Sequence, residues 1–503
     1  MSDINDAWSK QWIDIAVTIK DDVFLRVDCA AEISHELSAF FTFEVPGAKY
    51  MPTYRTRQWD GKIRLYNVFG GEVYVGLLNY IIEFAKHRDL TIDYPKNVNT
   101  ETLEQTAEFI KALNPHVEGL PIEPYDYQIN AVNYAINHNR ALFVSPTSSG
   151  KSFMIYSLVR NYINVVENKI LIIVPTTSLV EQLYKDFADY SSEYDPDFAE
   201  KNVHRIYSGK QKTTDKNVVI TTWQSIYKLK KESFKQFDCV IGDEAHNFKA
   251  KSLTSILQKM TDCKYKFGFT GTLDGTTTHK LVLEGLFGPV RNVTTTKNLM
   301  DNETIAKLQI EAVTLKYTDE ECKWVKPMTY QEEVDWLISH KKRNKFICDL
   351  TLSRSTNTLV LFQFVEKHGK KLFEALKKQE PDRPIFFVSG EVKTLVREEI
   401  RELTEKSENA IIVASYGTYS TGINIRNLHN IIFAHPSKSR IRNLQSVGRG
   451  LRKSYGKKNA TLFDLSDDLS WKKHKNFSLK HFVERIKIYN SEKFNYTLRS
   501  IKL

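Results

Sequence analysis

Runs of three to five consecutive apolar residues punctuate the chain at 141–144, 170–174, 218–220 and 239–241, and again at 359–362, 385–388, 411–413 and 431–433. Short runs rich in Val and Ile predict strands buried on both faces, which is the pattern of parallel sheet. Between them, 152–161, 179–190 and 371–378 carry the period of amphipathic helices. Alternating strand and helix predicts an α/β fold of two tandem doubly wound parallel-sheet domains. The polar stretch 294–303 separates the two sets, so the domains are expected at 115–300 and 301–503.

The first 114 residues follow another pattern. A strand is predicted at 23–27, with helices at 31–41 and 80–86. Between them, Arg55-Thr-Arg-Gln-Trp-Asp-Gly-Lys-Ile-Arg-Leu-Tyr66 contains Asp60-Gly61, a strong two-residue hairpin signal. Such a turn sets Trp59 opposite Lys62, Arg57 opposite Arg64 and Arg55 opposite Tyr66, all six on one face. Four cations with two aromatics suit a duplex edge or an unstacked base. The alternative has Trp59 and Tyr66 packed on the body and the cations solvated. The prediction is a small separate α+β domain at 1–114, joined through 95–100 and a helix near 102–113.

Composition narrows the class. Hydrophobic residues are 41% and charged residues 26% of 503, as in ordinary globular proteins. The apolar runs are far shorter than a bilayer span. The opening Met1-Ser-Asp-Ile-Asn-Asp is acidic and polar, unlike a signal peptide. Five scattered cysteines with no CxxC spacing indicate neither a disulfide framework nor a zinc site, with Cys239 and Cys263 expected as strand-borne core residues. An intracellular, soluble protein without membrane partners is expected. The net charge of +10 is unevenly placed: 431–503 holds 17 Lys and Arg against five Asp and Glu, while the remainder is nearly balanced. A basic end is the footprint of a polyanion partner.

The candidate chemistry starts at Ser145-Pro-Thr-Ser-Ser-Gly-Lys-Ser152, between a predicted strand and a predicted helix. That context is what a phosphate-binding loop requires. Backbone N–H groups of Ser148, Ser149, Gly150, Lys151 and Ser152 would face phosphates at a helix N-terminus, where the dipole also favours anions. Lys151 would bridge the outer phosphates, and the Ser152 hydroxyl would ligate Mg²⁺. Ser145 stands where the pattern usually has its first glycine. Downstream, Asp243-Glu-Ala-His246 ends an apolar run. Asp243 there can hold Mg²⁺ through water, and Glu244 can polarise an attacking water. In the second domain Gln445, Arg449 and Arg452 fall on one face of a helix, with two guanidiniums arranged as arginine fingers.

In this order, over about 121–465, the segments resemble the superfamily-2 helicases of the DExH/DEAH type. The resemblance implies two RecA-like domains that hydrolyse ATP with Mg²⁺ in the cleft between them and move along nucleic acid. Pro124-Tyr-Asp-Tyr-Gln128 looks like the Q motif, with Gln128 on the adenine edge and Tyr125 stacking where many relatives carry Arg. Pro175–Gln182 is similar to motif Ia, Thr221–Ser225 to the next strand-contacting motif, and Thr270-Gly-Thr272 to motif III, which links hydrolysis to strand movement. His246 is implied in the same coupling. Ala414–Asn424 resembles motif V, with Gly422 and Asn424 at the nucleotide, and Gln445–Arg452 resembles motif VI. Thr176, Thr221, Thr222 and Thr418 would hold strand phosphates without reading bases.

The N-terminal domain, DEAH box and basic end together are most similar to phage recombination helicases. That likeness implies a monomeric enzyme acting on single-stranded and branched DNA (four-way junctions, stalled forks and RNA–DNA hybrids) in the host cytoplasm if phage-encoded. Two other classes stay open at this point: an RNA helicase or restriction-system motor, and a strand-annealing protein with vestigial ATPase motifs.

Overall fold

The structure, a computed structural model, describes residues 13–96, 100–207, 214–273, 276–418, 425, 427–435 and 459–503. The chain forms two compact units, Met1–Ser145 with Gly150–Val293 and Thr294–Leu503 with Pro146–Ser149.

The first unit opens with β1 (Ile15–Ile19), β2 (Phe24–Cys29), β3 (Thr42–Glu44), β4 (Lys62–Arg64), β5 (Tyr66–Asn67), β6 (Glu72–Tyr74) and β7 (Ile92–Asp93). Five of these make a sheet in the order β5-β6-β2-β1-β7. Period-two alternation buries Ile15, Val17, Leu25, Val27 and Val73, and the helices Ala31–Phe40 and Leu78–Lys86 add Leu37, Ile81 and Phe84 to the same core.

The Asp60-Gly61 hairpin is not formed. Pro52 opens a short helix, Pro52–Arg55, and its fixed φ suits a first helical position. Arg57 then takes a left-handed φ of 57°, and β4 pairs antiparallel with β3 instead. Gly61 keeps its positive φ of 78°, so the turn survives with a strand on one side only. The expected face of four cations and two aromatics is therefore absent, and Tyr66 is buried.

After the small pair β8 (His116–Val117) and β9 (Leu120–Pro121) come β10 (Arg140–Val144), β11 (Lys169–Val174), β12 (Val203–Ile206), β13 (Val218–Thr222), β14 (Phe237–Gly242), β15 (Tyr265–Thr270) and β16 (Val290–Asn292). They form a parallel sheet ordered β12-β13-β11-β14-β15-β10-β16. Both faces are covered: Leu171 and Ile173 point into one core, Ile170, Ile172 and Val174 into the other.

The N-terminal segment, expected as a small α+β domain, lies in one compact unit with this sheet. Its apolar residues share one core with this sheet and with the helix Thr277–Phe287. The Tyr80 hydroxyl donates to Glu284 Oε2 at 2.7 Å, and Gln258 Nε2 donates to the Tyr74 hydroxyl at 2.7 Å. A Cβ at Gly76 would lie 1.8 Å from the Glu284 carbonyl oxygen, so only glycine permits this approach.

The second unit carries β17 (Lys307–Lys316), β18 (Thr358–Phe362), β19 (Ile385–Val388), β20 (Ile411–Ser415), β21 (Asn430–Phe433), β22 (Asn459–Asp468) and β23 (Tyr496–Lys502), a parallel sheet ordered β19-β20-β18-β21-β22-β17-β23. Past β22, the described part of the basic end is the helix Phe477–Ser491 followed by the sheet's edge strand β23. Two fully buried ion pairs fix β22: Arg343 Nε with Asp467 Oδ1 at 2.7 Å, and Arg485 with Asp464 at 2.8 Å. Arg343 also donates to the Ala434 carbonyl at 2.9 Å, which satisfies a charge that would be costly to bury unpaired. None of the described helices is long and apolar enough to cross a membrane.

Candidate active site

Sheet order explains the convergence. β10, β15 and β14 are consecutive neighbours, so the loops leaving their C-terminal ends open beside one another, where ligands bind in doubly wound sheets. The loop after β10 carries Ser145–Ser152. Ser145 N–H donates to the Thr270 carbonyl at 2.8 Å, tying that loop to the end of β15. Ser148 and Gly150 take left-handed φ values of 69° and 83°, curling the backbone before the helix Lys151–Tyr162 begins. Lys151 Nζ donates to the Ser145 carbonyl at 3.1 Å, and Ser149 Oγ donates to the Pro146 carbonyl at 2.6 Å. The buried hydroxyls of Ser148 and Thr272 have no hydrogen-bond partner, a feature that fits a loop shaped for a polar ligand.

Asp243 follows the last residue of β14, its N–H donating to the Ile173 carbonyl at 2.9 Å. Burial pushes its carboxyl up to about 6; neighbouring Glu244 adds to this and Lys151 opposes it. A carboxylate so placed favours a cation against it. Glu244 is left-handed (φ 49°, ψ 49°), a strained state for a side-chain-bearing residue that costs on the order of 1–3 kcal/mol. The Asn247 side-chain amide donates to the Glu244 carbonyl at 3.1 Å, and Glu244 N–H donates to Asp243 Oδ1 at 2.9 Å, which hold the turn in place.

His246 joins two motifs. Its Nδ1 lies 2.9 Å from Thr270 Oγ1 and 3.3 Å from Glu244 Oε2. The Thr270 hydroxyl donates to the Thr272 carbonyl at 3.0 Å, so its single proton is committed there and His246 Nδ1 must be the donor. The Asp-Glu-Ala-His turn and the Thr-Gly-Thr turn are thereby one hydrogen-bonded unit.

Gln128 is buried and accepts from Tyr125 N–H at 3.0 Å; a Cβ on Gly150 would meet its Nε2 at 2.3 Å, so the Q-motif glutamine lies against the phosphate loop. Tyr125 is exposed and stacks on Tyr127 with centroids 5.3 Å apart. Ser152 Oγ lies 2.9 Å from the Tyr190 hydroxyl, a partner at the end of the helix Thr177–Tyr190 that motif reading did not single out. A Ser152 that donates to Tyr190 keeps lone pairs for a cation. Among the described residues no cluster of three His, Cys, Asp or Glu forms a metal cage. Mg²⁺ needs none, since it takes one or two protein oxygens along with phosphate and water.

Of the strand-contact candidates, Thr176 caps the helix Thr177–Tyr190 and Thr222 Oγ1 lies 3.0 Å from Ser225 Oγ. Thr221 is fully buried, with its hydroxyl donating to the Ile206 carbonyl at 3.0 Å. In the second unit Thr418 is buried with Oγ1 2.8 Å from Ser415 Oγ. Gly422, Asn424, Gln445, Arg449 and Arg452 lie outside the described residues. Arg55, Arg57, Lys62 and Arg64 are exposed; Arg64 pairs with Asp60 at 2.5 Å, and half-buried Trp59 donates its Nε1–H to the Lys62 carbonyl at 2.9 Å. Cys239 is a buried residue of β14, whereas Cys263 is buried in the short connection just before β15 rather than on a strand.

A phosphate loop, an Asp-Glu-Ala-His turn and a Thr-Gly-Thr turn at neighbouring ends of a parallel sheet, followed by a second parallel-sheet unit, define an ATP-hydrolysing helicase of superfamily 2. Residues 14–94 match the family model for the N-terminal domain of the DNA helicase UvsW, 121–275 that for the type III restriction enzyme res subunit, and 342–454 that for the helicase conserved C-terminal domain. The ATP-dependent DNA helicase uvsW of Enterobacteria phage T4 is 36% identical over 98% of this chain and 100% of its own length. The crystal structure of T4 UvsW aligns with a TM-score of 0.52 at 34% identity, covering 97% of this chain and 100% of that one. Mss116p bound to ssRNA and AMP-PNP shares the fold at 14% identity and a TM-score of 0.51, over 81% of each chain. The chain belongs to the UvsW family of ATP-dependent DNA helicases.

Proposed function

We propose that this helicase remodels branched DNA: it migrates four-way junctions, regresses stalled forks and unwinds RNA–DNA hybrids in recombination, repair and replication. Branch migration exchanges each broken base pair for a new one, so stacking of about 1.4 kcal/mol per step nearly cancels and directional stepping suffices. The reading rests chiefly on one observation: the N-terminal domain shares a core with the domain that bears the Asp-Glu-Ala-His turn, so whatever DNA it contacts is presented to the motor at fixed distance. Arg55, Arg57, Lys62 and Arg64, exposed on that domain, are candidate phosphate contacts; Trp59 positions Lys62 through its backbone.

In the ATPase cycle Lys151 neutralises the outer phosphates, while Gln128 and Tyr125 engage the base. Ser152 and Asp243 would hold Mg²⁺, which supplies charge neutralisation on the phosphates when bound. Glu244 orients and deprotonates the attacking water, and His246 carries the change to Thr270–Thr272. Gly422, Asn424 and Gln445 complete nucleotide binding, and Arg449 and Arg452 supply positive charge to the γ-phosphate. Thr176, Thr222 and Thr418 lie in strand-contacting segments. The protein works as a monomer inside the cell.

The test is ATP turnover and strand displacement on single-stranded DNA, linear duplex, fork, four-way junction, RNA–DNA hybrid and RNA duplex. Fork and junction should stimulate turnover most and be resolved. Preference for RNA duplex would overturn the reading, and annealing that persists in a Lys151→Ala variant with wild-type junction processing would favour the vestigial-ATPase alternative.

A further inference from the structure

The turn joining β5 to β6 holds Phe69 in full solvent exposure, at 103% of its reference area. The turn is built rather than slack. Phe69 N–H donates to Asn67 Oδ1 at 3.1 Å, Val27 N–H donates to the Gly71 carbonyl at 2.7 Å, and Gly71 has a φ of 61° at a place where a Cβ would strike the Val27 carbonyl oxygen at 2.4 Å. Val73 and Tyr74 of β6 run directly from this turn into the buried core, so the aromatic tip has a rigid base. Phe69 also forms one wall of a groove of about 570 Å³ whose other lining includes Phe24, Tyr66 and Tyr74, with Ser38, Arg64, Asn67 and Glu72 as its polar lining; the Glu72 carboxylate is paired with Lys20. Phe24 and Tyr74 already stack on each other, centroids 5.2 Å apart, as a preformed aromatic floor. Gln258, from the helix Lys251–Lys259 that follows the Asp-Glu-Ala-His turn, closes the groove on the motor side.

We propose that this groove receives one unpaired nucleobase of the DNA substrate, stacked on Phe69, with its phosphate near Arg64. An exposed aromatic on a rigid turn loses little entropy on stacking, every base offers a π-face, and the Arg64 guanidinium can exchange its exposed partner Asp60 for the phosphate. Asn67 adds a donor and an acceptor for a base edge without demanding a particular base. The occupant follows from the established DNA-helicase activity and does not depend on which branched structure is preferred. Because Gln258 belongs to the motor domain, an occupied groove places the base at the seam of the shared core.

The experiment uses full-length protein and a fork carrying an unpaired fluorescent-analogue base, titrated across a salt series. Phe69→Ala should weaken fork binding roughly tenfold, the value of one lost base stack, and leave the slope of log K against log salt unchanged. Arg64→Ala should instead flatten that slope by about one phosphate contact. Phe69→Trp should retain affinity, and its indole fluorescence should be quenched by the fork and not by blunt duplex. DNA-independent ATP turnover should match wild type in both Phe69 variants. Fork affinity unchanged in Phe69→Ala, or no quenching in Phe69→Trp, would overturn the proposal.

Discussion

Replacing Thr270 with Val tests whether His246 transmits the state of the nucleotide site. Valine keeps the volume and β-branching of a fully buried strand residue, and the backbone bond from Ser145 N–H to the carbonyl of residue 270 is untouched. Only the hydroxyl goes, and with it two hydrogen bonds: the one accepted from His246 Nδ1 at 2.9 Å and the one donated to the Thr272 carbonyl at 3.0 Å. At about 1 kcal/mol net each, the linked arrangement of the two turns loses about 2 kcal/mol. That is on the order of a 30-fold shift toward independent movement. Lys151, Asp243 and Glu244 remain, so the Michaelis constant for ATP should stay near wild type. The assay is stopped-flow unwinding of a fork with phosphate release followed in parallel, giving base pairs opened per ATP. The variant should hydrolyse ATP while opening several-fold fewer pairs per turnover. A ratio indistinguishable from wild type, with a native melting curve, would refute the transmission role.

Two further outcomes concern stability. Lys266 is buried in β15 with Nζ donating to the Met260 carbonyl at 2.9 Å, and burial lowers its pKa to about 7, with Arg140 pushing the same way. The unfolded chain holds this proton up to about pH 10.4, so stability should rise as pH climbs from about 7 to about 10; Lys266→Met should abolish that dependence and gain up to about 4 kcal/mol at neutral pH, less about 1 for the lost bond, read by calorimetric melting across pH. Gly76→Ala places a methyl 1.8 Å from the Glu284 carbonyl oxygen and should cost about 1–3 kcal/mol or more; limited proteolysis should then release the N-terminal domain earlier than in wild type, and unchanged melting and cleavage would contradict the fused core.

The central strands of both sheets were legible because a strand buried on both faces must be apolar at every position. The segments 141–144, 170–174 and 359–362 reappear in β10, β11 and β18 within a residue. Long edge-side strands were not. β17 mixes Lys, Gln and Glu into its alternation, and β23 exposes most of its residues, so its basic side chains read as a tail. The Asp60-Gly61 signal was local and true as a turn, but Pro52 and the pairing of β4 with β3 decided the surroundings. The fusion of the N-terminal domain left no trace in composition, since it depends on a missing side chain at Gly76, on shared apolar packing and on the bonds from Tyr80 to Glu284 and from Gln258 to Tyr74. The phosphate loop and the Asp-Glu-Ala-His turn were readable because their chemistry fixes residue types at fixed spacing. Thr270 was singled out by its motif, but its bond to His246, like the contact of Tyr190 with Ser152, joins distant partners, which spacing does not encode.

The most direct test of the central claim, that the loop 145–152 and the Asp-Glu-Ala-His turn power DNA remodelling, is single-turnover ATP hydrolysis by Lys151→Ala and Glu244→Gln measured beside junction resolution in the same samples. Hydrolysis and resolution should both disappear in each variant while junction binding persists. Resolution at the wild-type rate without hydrolysis would contradict the account.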